Sequence, residues 1–286
     1  MSKTEQSVDF TEILSDPVFT PALKDQIASV QQFQAVTEDF VRSVVSGVHA
    51  NAILQGPPGL GKSYVVTQAL KNADKIEGED YIVIKGHITP LQLYATLYMF
   101  RRKGQVVVLD DCDDIFTKET GLEVLKAATD QDYRKVTWMS SATPVVNGTP
   151  VKDFVFNGAI IVCSNISVTT GRGGRRDRSA SAFMSRLTYW DMKLSQRERM
   201  YAQIFNLVVE ADYLSRNPKT KLDIVQKREL MKFILINLDD IVQFDLRMPQ
   251  KIAAEMNANP KNWKRTAQHL VTHGAWYERV WRTDWL

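Results

Sequence analysis

The octapeptide Gly56-Pro57-Pro58-Gly59-Leu60-Gly61-Lys62-Ser63 constrains this chain more than any other stretch, because it matches G-x-x-x-x-G-K-[ST] in full. Ala52-Ile53-Leu54 reads as a short buried strand running straight into Gly56, and Tyr64 to Leu70 as a helix leaving the loop. Glycines let the backbone curl until successive N–H groups point at one anion, and the helix N-terminus adds favourable partial charge. In this pattern Lys62 is the residue expected to reach terminal phosphates, and Ser63 the one expected to offer its hydroxyl to a divalent cation. A strand, a phosphate loop and a helix in succession call for an α/β fold.

Strands and helices continue to alternate beyond the loop. Tyr81-Ile82-Val83-Ile84 is an apolar run closed by Gly86, and Val106 to Leu109 and Ile160 to Cys163 are two more. Unbroken apolar runs, rather than alternating ones, are expected of a parallel sheet flanked by helices on both faces. Helices are expected at Leu91 to Phe100, ended by Gly104, and at Gly121 to Ala128. Upstream, Val36, Phe40, Val41 and Val44 recur at helical spacing and stop at Gly47, while residues 1–34 read as an irregular lead-in with a short helix or two. Between Lys135 and Asn157, Val136-Thr137-Trp138-Met139 and Phe154-Val155-Phe156 flank Asn147-Gly148, the pattern of a β-hairpin inserted before the fourth strand. After Ser195 only helical patterns remain, over 196–216, 221–238, 247–257 and 261–280. The expected organisation is a lead-in over 1–35, an α/β core over 36–192 and an all-helical lid with an aromatic tail over 193–286.

Val106-Val107-Val108-Leu109-Asp110-Asp111 supplies a second half to the phosphate loop: an apolar strand ending in carboxylates. Together the two motifs point to ATP with Mg²⁺, Asp110 holding the ion through its water shell and Asp111 placed to polarise an attacking water. Cys112 and Cys163 match no zinc or C-x-x-C spacing and read as reduced, buried thiols. The net charge of +3 is too small to identify a nucleic-acid partner by itself. No apolar run approaches the roughly 20 residues that span a bilayer, and the polar, acidic start of the chain is no secretion signal. A protein of the cytoplasm, without a membrane partner, is expected.

With the two motifs, Ile160-Ile161-Val162-Cys163-Ser164-Asn165 completes an order of features that resembles the AAA+ P-loop ATPases, small bacteriophage ones in particular. The resemblance spans residues 36–257 and implies ATP hydrolysis to ADP and phosphate. In that family a polar residue ending the fourth strand orients the hydrolytic water, and Asn165 matches it. Ala182-Phe183-Met184-Ser185-Arg186 is similar to the segment whose arginine reaches the γ-phosphate of a neighbouring subunit, with Arg178 an alternative to Arg186. Asp245-Leu246-Arg247-Met248 is similar to the lid segment whose arginine contacts the γ-phosphate, which makes Arg247 the candidate. A site shared between subunits implies a homo-oligomer, a hexameric ring or a spiral. The family usually carries Glu after the magnesium Asp; Asp111 is one methylene shorter, and slower hydrolysis is expected.

Three stretches bear on what such an ATPase would act on. Gly171-Arg172-Gly173-Gly174-Arg175-Arg176-Asp177-Arg178 is dense in cations suited to phosphate or to a neighbour's nucleotide. The hairpin resembles the insertion of family members that work on DNA, helicase loaders among them. Lys85-Gly86-His87-Ile88-Thr89-Pro90 lacks the aromatic–hydrophobic pair of protein unfoldases, while its Lys85 and His87 are candidates to touch phosphate. The favoured expectation is an ATPase acting on nucleic acid, or on a DNA replication or recombination complex; the alternatives are a protein-remodelling chaperone and a slow nucleotide-dependent assembly switch. The tail Ala275 to Leu286, rich in Trp, reads either as packing on the lid or as a partner contact.

Overall fold

The computed structural model describes residues 10–139, 143–165, 175–192 and 196–272, and for 175–179 the backbone only. Residue contacts divide the described chain into two units, one within 35–57 and 61–193, the other within 10–34, 58–60 and 194–272.

The first unit is built on five parallel strands: β1 (Asn51–Gln55), β2 (Tyr81–Lys85), β3 (Val106–Asp110), β8 (Ala159–Ser164) and β9 (Thr188–Asp191). Their order is β2-β3-β8-β1-β9. Every residue of β1, β3 and β8 is buried, as their apolar runs require of central parallel strands. Ile53, Val107, Leu109, Ile160 and Val162 project into one cluster with Leu93, Tyr94 and Leu97 of helix α4 (Pro90–Met99) and Leu122 and Leu125 of helix α5 (Glu119–Ala128). Residues of opposite parity, such as Leu54, Val108 and Ile161, are equally buried. α4 starts where Thr89 and Gln92 form a reciprocal capping box followed by Pro90.

The fifth strand, β9, is absent from the apolar-run reading. Thr188-Tyr189-Trp190-Asp191 sets two aromatic residues between two polar ones rather than an apolar run, because an edge strand meets a neighbour on one side only. Trp190 stacks on Phe40 at 4.8 Å and donates its indole N–H to Thr37.

The insertion before β8 is a double ribbon. β4 (Lys135–Thr137) pairs antiparallel with β7 (Asp153–Val155), and beyond them β5 (Val145–Val146) pairs with β6 (Thr149–Pro150). Asn147 and Gly148 both have positive φ, 51° and 78°, as a two-residue hairpin turn requires. Four rings anchor the ribbon's base on α4: Tyr94 contacts Phe154 at 5.1 Å and Trp138 at 5.4 Å, and Tyr98 contacts Phe154 at 5.5 Å.

Where a lead-in with a short helix or two was expected, the described residues form α1 (residues 10–14) and a 25-residue helix, α2 (Pro21–Val45), which takes in the helix expected from Val36 to Val45 and starts fifteen residues earlier. Thr20 caps it and Pro21 opens it. The buried face runs Ile27, Val30, Thr37, Val41, Val44; Thr37 interrupts the apolar spacing, and Val36 is exposed.

The second unit is helical: α7 (Arg197–Phe205), α8 (Ile224–Ile236), α9 (Arg247–Ala258) and α10 (Trp263–Val271). The expected single helix over 196–216 is instead α7, a π-helical turn at Asn206–Glu210 and a 3₁₀ turn at Tyr213–Arg216. Buried Asn206 reaches the Ile27 carbonyl there. Trp263 is core, edge-on to Phe233 at 5.3 Å. The tail lies outside the described residues.

Because Phe154 is 6% exposed and touches both tyrosines, Phe154→Ala is expected to lower unfolding stability by about 3 kcal/mol. Urea denaturation would show this as a lower midpoint with an unchanged slope.

Candidate functional site

The site collects at the C-terminal ends of β1, β3 and β8, which the parallel register brings level. Asp110 lies opposite Cys163, and Gln55, the last residue before Gly56, opposite Ser164. The Gly56–Ser63 loop leaves β1 here and enters helix α3 (Lys62–Asn72). Gly59 and Gly61 have φ of +74° and +85°, a left-handed backbone that lets the loop turn back on itself.

Lys62 is 5% exposed, and its ammonium donates to three oxygens: Gly56 O at 2.8 Å, Pro57 O at 2.8 Å and Asn165 Oδ1 at 2.7 Å. Three donors meet three acceptors, so the buried charge is satisfied. Burial lowers the Lys62 pKa, opposed by the nearby carboxylates of Asp111, Asp110 and Asp113. Asn165 in turn donates from Nδ2 to Asp111 Oδ1 at 2.6 Å. One amide therefore joins the loop lysine to the carboxylate after β3. Ser63 Oγ donates to Asp110 Oδ1 at 2.5 Å.

The structure thus brings Lys62, Asn165 and Asp111 into one hydrogen-bonded chain and sets the Ser63–Asp110 pair beside it. Asp111 has φ of 53°, with its amide bonded to Cys163 O. The crest of the loop, Pro58–Leu60, belongs to the helical unit, where Gly59 O accepts from Leu246 N at 3.1 Å. A Cβ on Gly59 would stand 2.4 Å from Asp245 Cβ. Arg247 opens α9 as an exposed residue, and Asp245 is engaged with the backbone amides of Arg247 and Met248.

Arg186 follows helix α6 (Arg175–Met184), 3.8 Å from Asp130 and beside an open pocket of about 340 Å³ that Asp130, Gln131, Asp132 and Ser185 also line. The Arg178 side chain and residues 171–174 lie outside what is described.

Two neighbours of the site have no signal in the motifs. Lys85, at the end of β2, pairs in register with Asp110 and places Nζ 3.6 Å from Asp110 Oδ2. Asp113 Oδ1 accepts from Ser164 Oγ at 2.7 Å; burial raises its pKa, the Ser164 bond opposes that, and Lys62 also acts on it. Register could have found the first, since Lys85 and Asp110 both end edge-to-centre neighbours. Asp114, pairing with both His87 and Lys118, is held below its ordinary pKa chiefly by the Lys118 hydrogen bond.

Cys112 and Cys163 are free and buried, as expected. Burial pushes the Cys112 thiol up to about 11 and Cys163 higher still. Both should resist a thiol-modifying reagent at pH 8 in the native protein and react at once in denaturant, measured by reagent absorbance.

No family model matches the chain. Over 227 residues it is 24% identical to an uncharacterized 36.7 kDa protein in the nrdC-mobD intergenic region of Enterobacteria phage T4, a match covering 78% of this chain and 69% of that protein. Among the described residues no helix is long and apolar enough to cross a membrane.

Proposed function

We propose that this chain is a P-loop ATPase of the AAA+ type that binds ATP with Mg²⁺ at Gly56–Ser63 and acts on nucleic acid or on a complex that processes it. The observation that carries the reading is the continuous bonding of Lys62, Asn165 and Asp111 next to the Ser63–Asp110 pair. Those are the groups that hydrolysis of a phosphoanhydride needs on either side of the γ-phosphate: a cation, a carboxylate beside the water, and an amide fixing one to the other.

In this reading the loop amides and Lys62 take the phosphate oxygens, Lys62 exchanging the carbonyls of Gly56 and Pro57 for the nucleotide. Water attacks the γ-phosphorus; a new P–O bond forms, the bond to the β–γ bridging oxygen breaks, and ADP leaves with that electron pair. Asp111 orients the water and receives its proton, which passes to solvent. Ser63 and Asp110 offer one hydroxyl and one carboxylate, a donor set too small to cage an ion and suited to Mg²⁺ carried by phosphate oxygens. Bound Mg²⁺ would supply charge neutralisation at those oxygens. Arg186 from a neighbouring subunit and Arg247 from α9 are assigned to the γ-phosphate, which makes the working form a ring or spiral. The likeness to a T4 phage protein supports a phage setting, in which the host cytoplasm is the place of action.

A second reading, remodelling of a protein partner, is favoured by the ribbon itself: Met139 and Val145 are 89% and 64% exposed there. Steady-state ATPase activity, alone and with single- or double-stranded DNA at low and high salt, separates the two. The expected outcome is turnover lost in Lys62→Ala and stimulated by DNA in a manner that fades with salt. Turnover indifferent to DNA would transfer the ribbon to a protein partner, and no turnover above the Lys62→Ala blank would overturn the ATPase reading. Asp111→Asn, which keeps the Asn165 contact within reach, is expected to bind nucleotide as the parent does and to lower kcat by at least about a hundredfold.

A further inference from the structure

Asp110 is 5% exposed, and a carboxylate so far from water needs a compensating charge or several donors. Its Oδ1 has Ser63. Lys62, the cation of the phosphate loop, has committed all three donors to Gly56 O, Pro57 O and Asn165 Oδ1. The cation that faces Oδ2 is Lys85, at 3.6 Å. The two partners differ sharply in environment: the Lys85 side chain is 71% exposed and that of Asp110 7%. Their strands fix the approach, because Lys85 and Asp110 are register partners at the ends of β2 and β3, and β2 is an edge of the sheet.

We propose that Lys85 is a displaceable counter-cation for Asp110: its ammonium neutralises the carboxylate while the nucleotide site is empty and gives way when a divalent ion arrives with nucleotide. This rests on the reading of Asp110 as the carboxylate that faces Mg²⁺. A contact of 3.6 Å is longer than a charge-assisted hydrogen bond, and a mostly solvated lysine stem is free to swing out. Two cations cannot share Oδ2 without mutual repulsion, so the lysine opposes entry of the ion and is released by it. Release leaves a solvated ammonium at the sheet edge, next to His87 in the segment leading to α4, where it can meet a phosphate of a bound strand. Lys85 therefore sets the Mg²⁺ concentration at which nucleotide binds, and is a positioning residue with no contact to the reacting atoms.

The test is binding of a fluorescent ATP analogue to the full chain across a Mg²⁺ titration, comparing wild type, Lys85→Met and Lys85→Arg. Removing the charge is expected to lower the Mg²⁺ concentration for half-maximal binding by about fivefold, the size of one unit-charge repulsion at such a distance in water. Lys85→Arg, which keeps the charge, should stay near wild type. An unchanged or raised Mg²⁺ requirement in Lys85→Met would overturn the proposal, the raised value marking Lys85 as a phosphate ligand instead. Wild-type binding that ignores Mg²⁺ would instead overturn the assignment of Asp110, and this inference with it.

Discussion

A single buried ammonium organises the first unit. Lys62 sits where water cannot solvate it, so three oxygens must converge on its Nζ. Two come from the loop's own carbonyls, which forces the loop to wrap around its lysine. The third comes from Asn165, over a hundred residues away in sequence, which is possible only because β1 and β8 are neighbours in parallel register. Asn165 then reaches Asp111 across β8 and β3. The sheet order β2-β3-β8-β1-β9 is thus what the site's electrostatics require: the carboxylate strand and the loop strand must flank the strand that bears the amide.

Legibility in the sequence followed burial. β1, β3 and β8 are buried along their whole length, so their residues had to be apolar and their runs stand out. The Asn147-Gly148 turn was equally plain, since few residue pairs tolerate two positive φ values. β9 was hidden because an edge strand is free to carry Thr, Tyr and Asp, and the early part of α2 because Ile27 and Val30 are the buried apolar residues of a stretch that is otherwise mostly polar. The loop lysine, the serine and the strand-end acids were found as motifs; the pairing of Lys85 with Asp110 and of Asp113 with Ser164 was not, because it depends on strand neighbours, which no local spacing encodes.

The helical unit shows the other limit. Periodicity located α8, α9 and the start of α10 within a few residues, although α10 ends at Val271 and not near 280, and the π turn at Asn206–Glu210 depends on Asn206 reaching the backbone of α2, a long-range bond. Gln203, also buried, donates to Leu60 O and leaves its own oxygen without a partner. Polar groups inside such a unit fix its geometry at a cost in stability that an all-apolar core would avoid.

The left-handed backbone at Asp111 gives the shorter acid a meaning of its own. Asp and Asn enter that region more readily than longer or branched side chains do, because a short polar group can bond locally. The turn after β3, closed by the Asp111 amide on Cys163 O, therefore selects among acids before any chemistry does. A lineage that drifted toward glutamate at this position would first have to relay the turn, and with it the reach of Asn165; the choice of carboxylate and the path of the main chain are inherited as one trait.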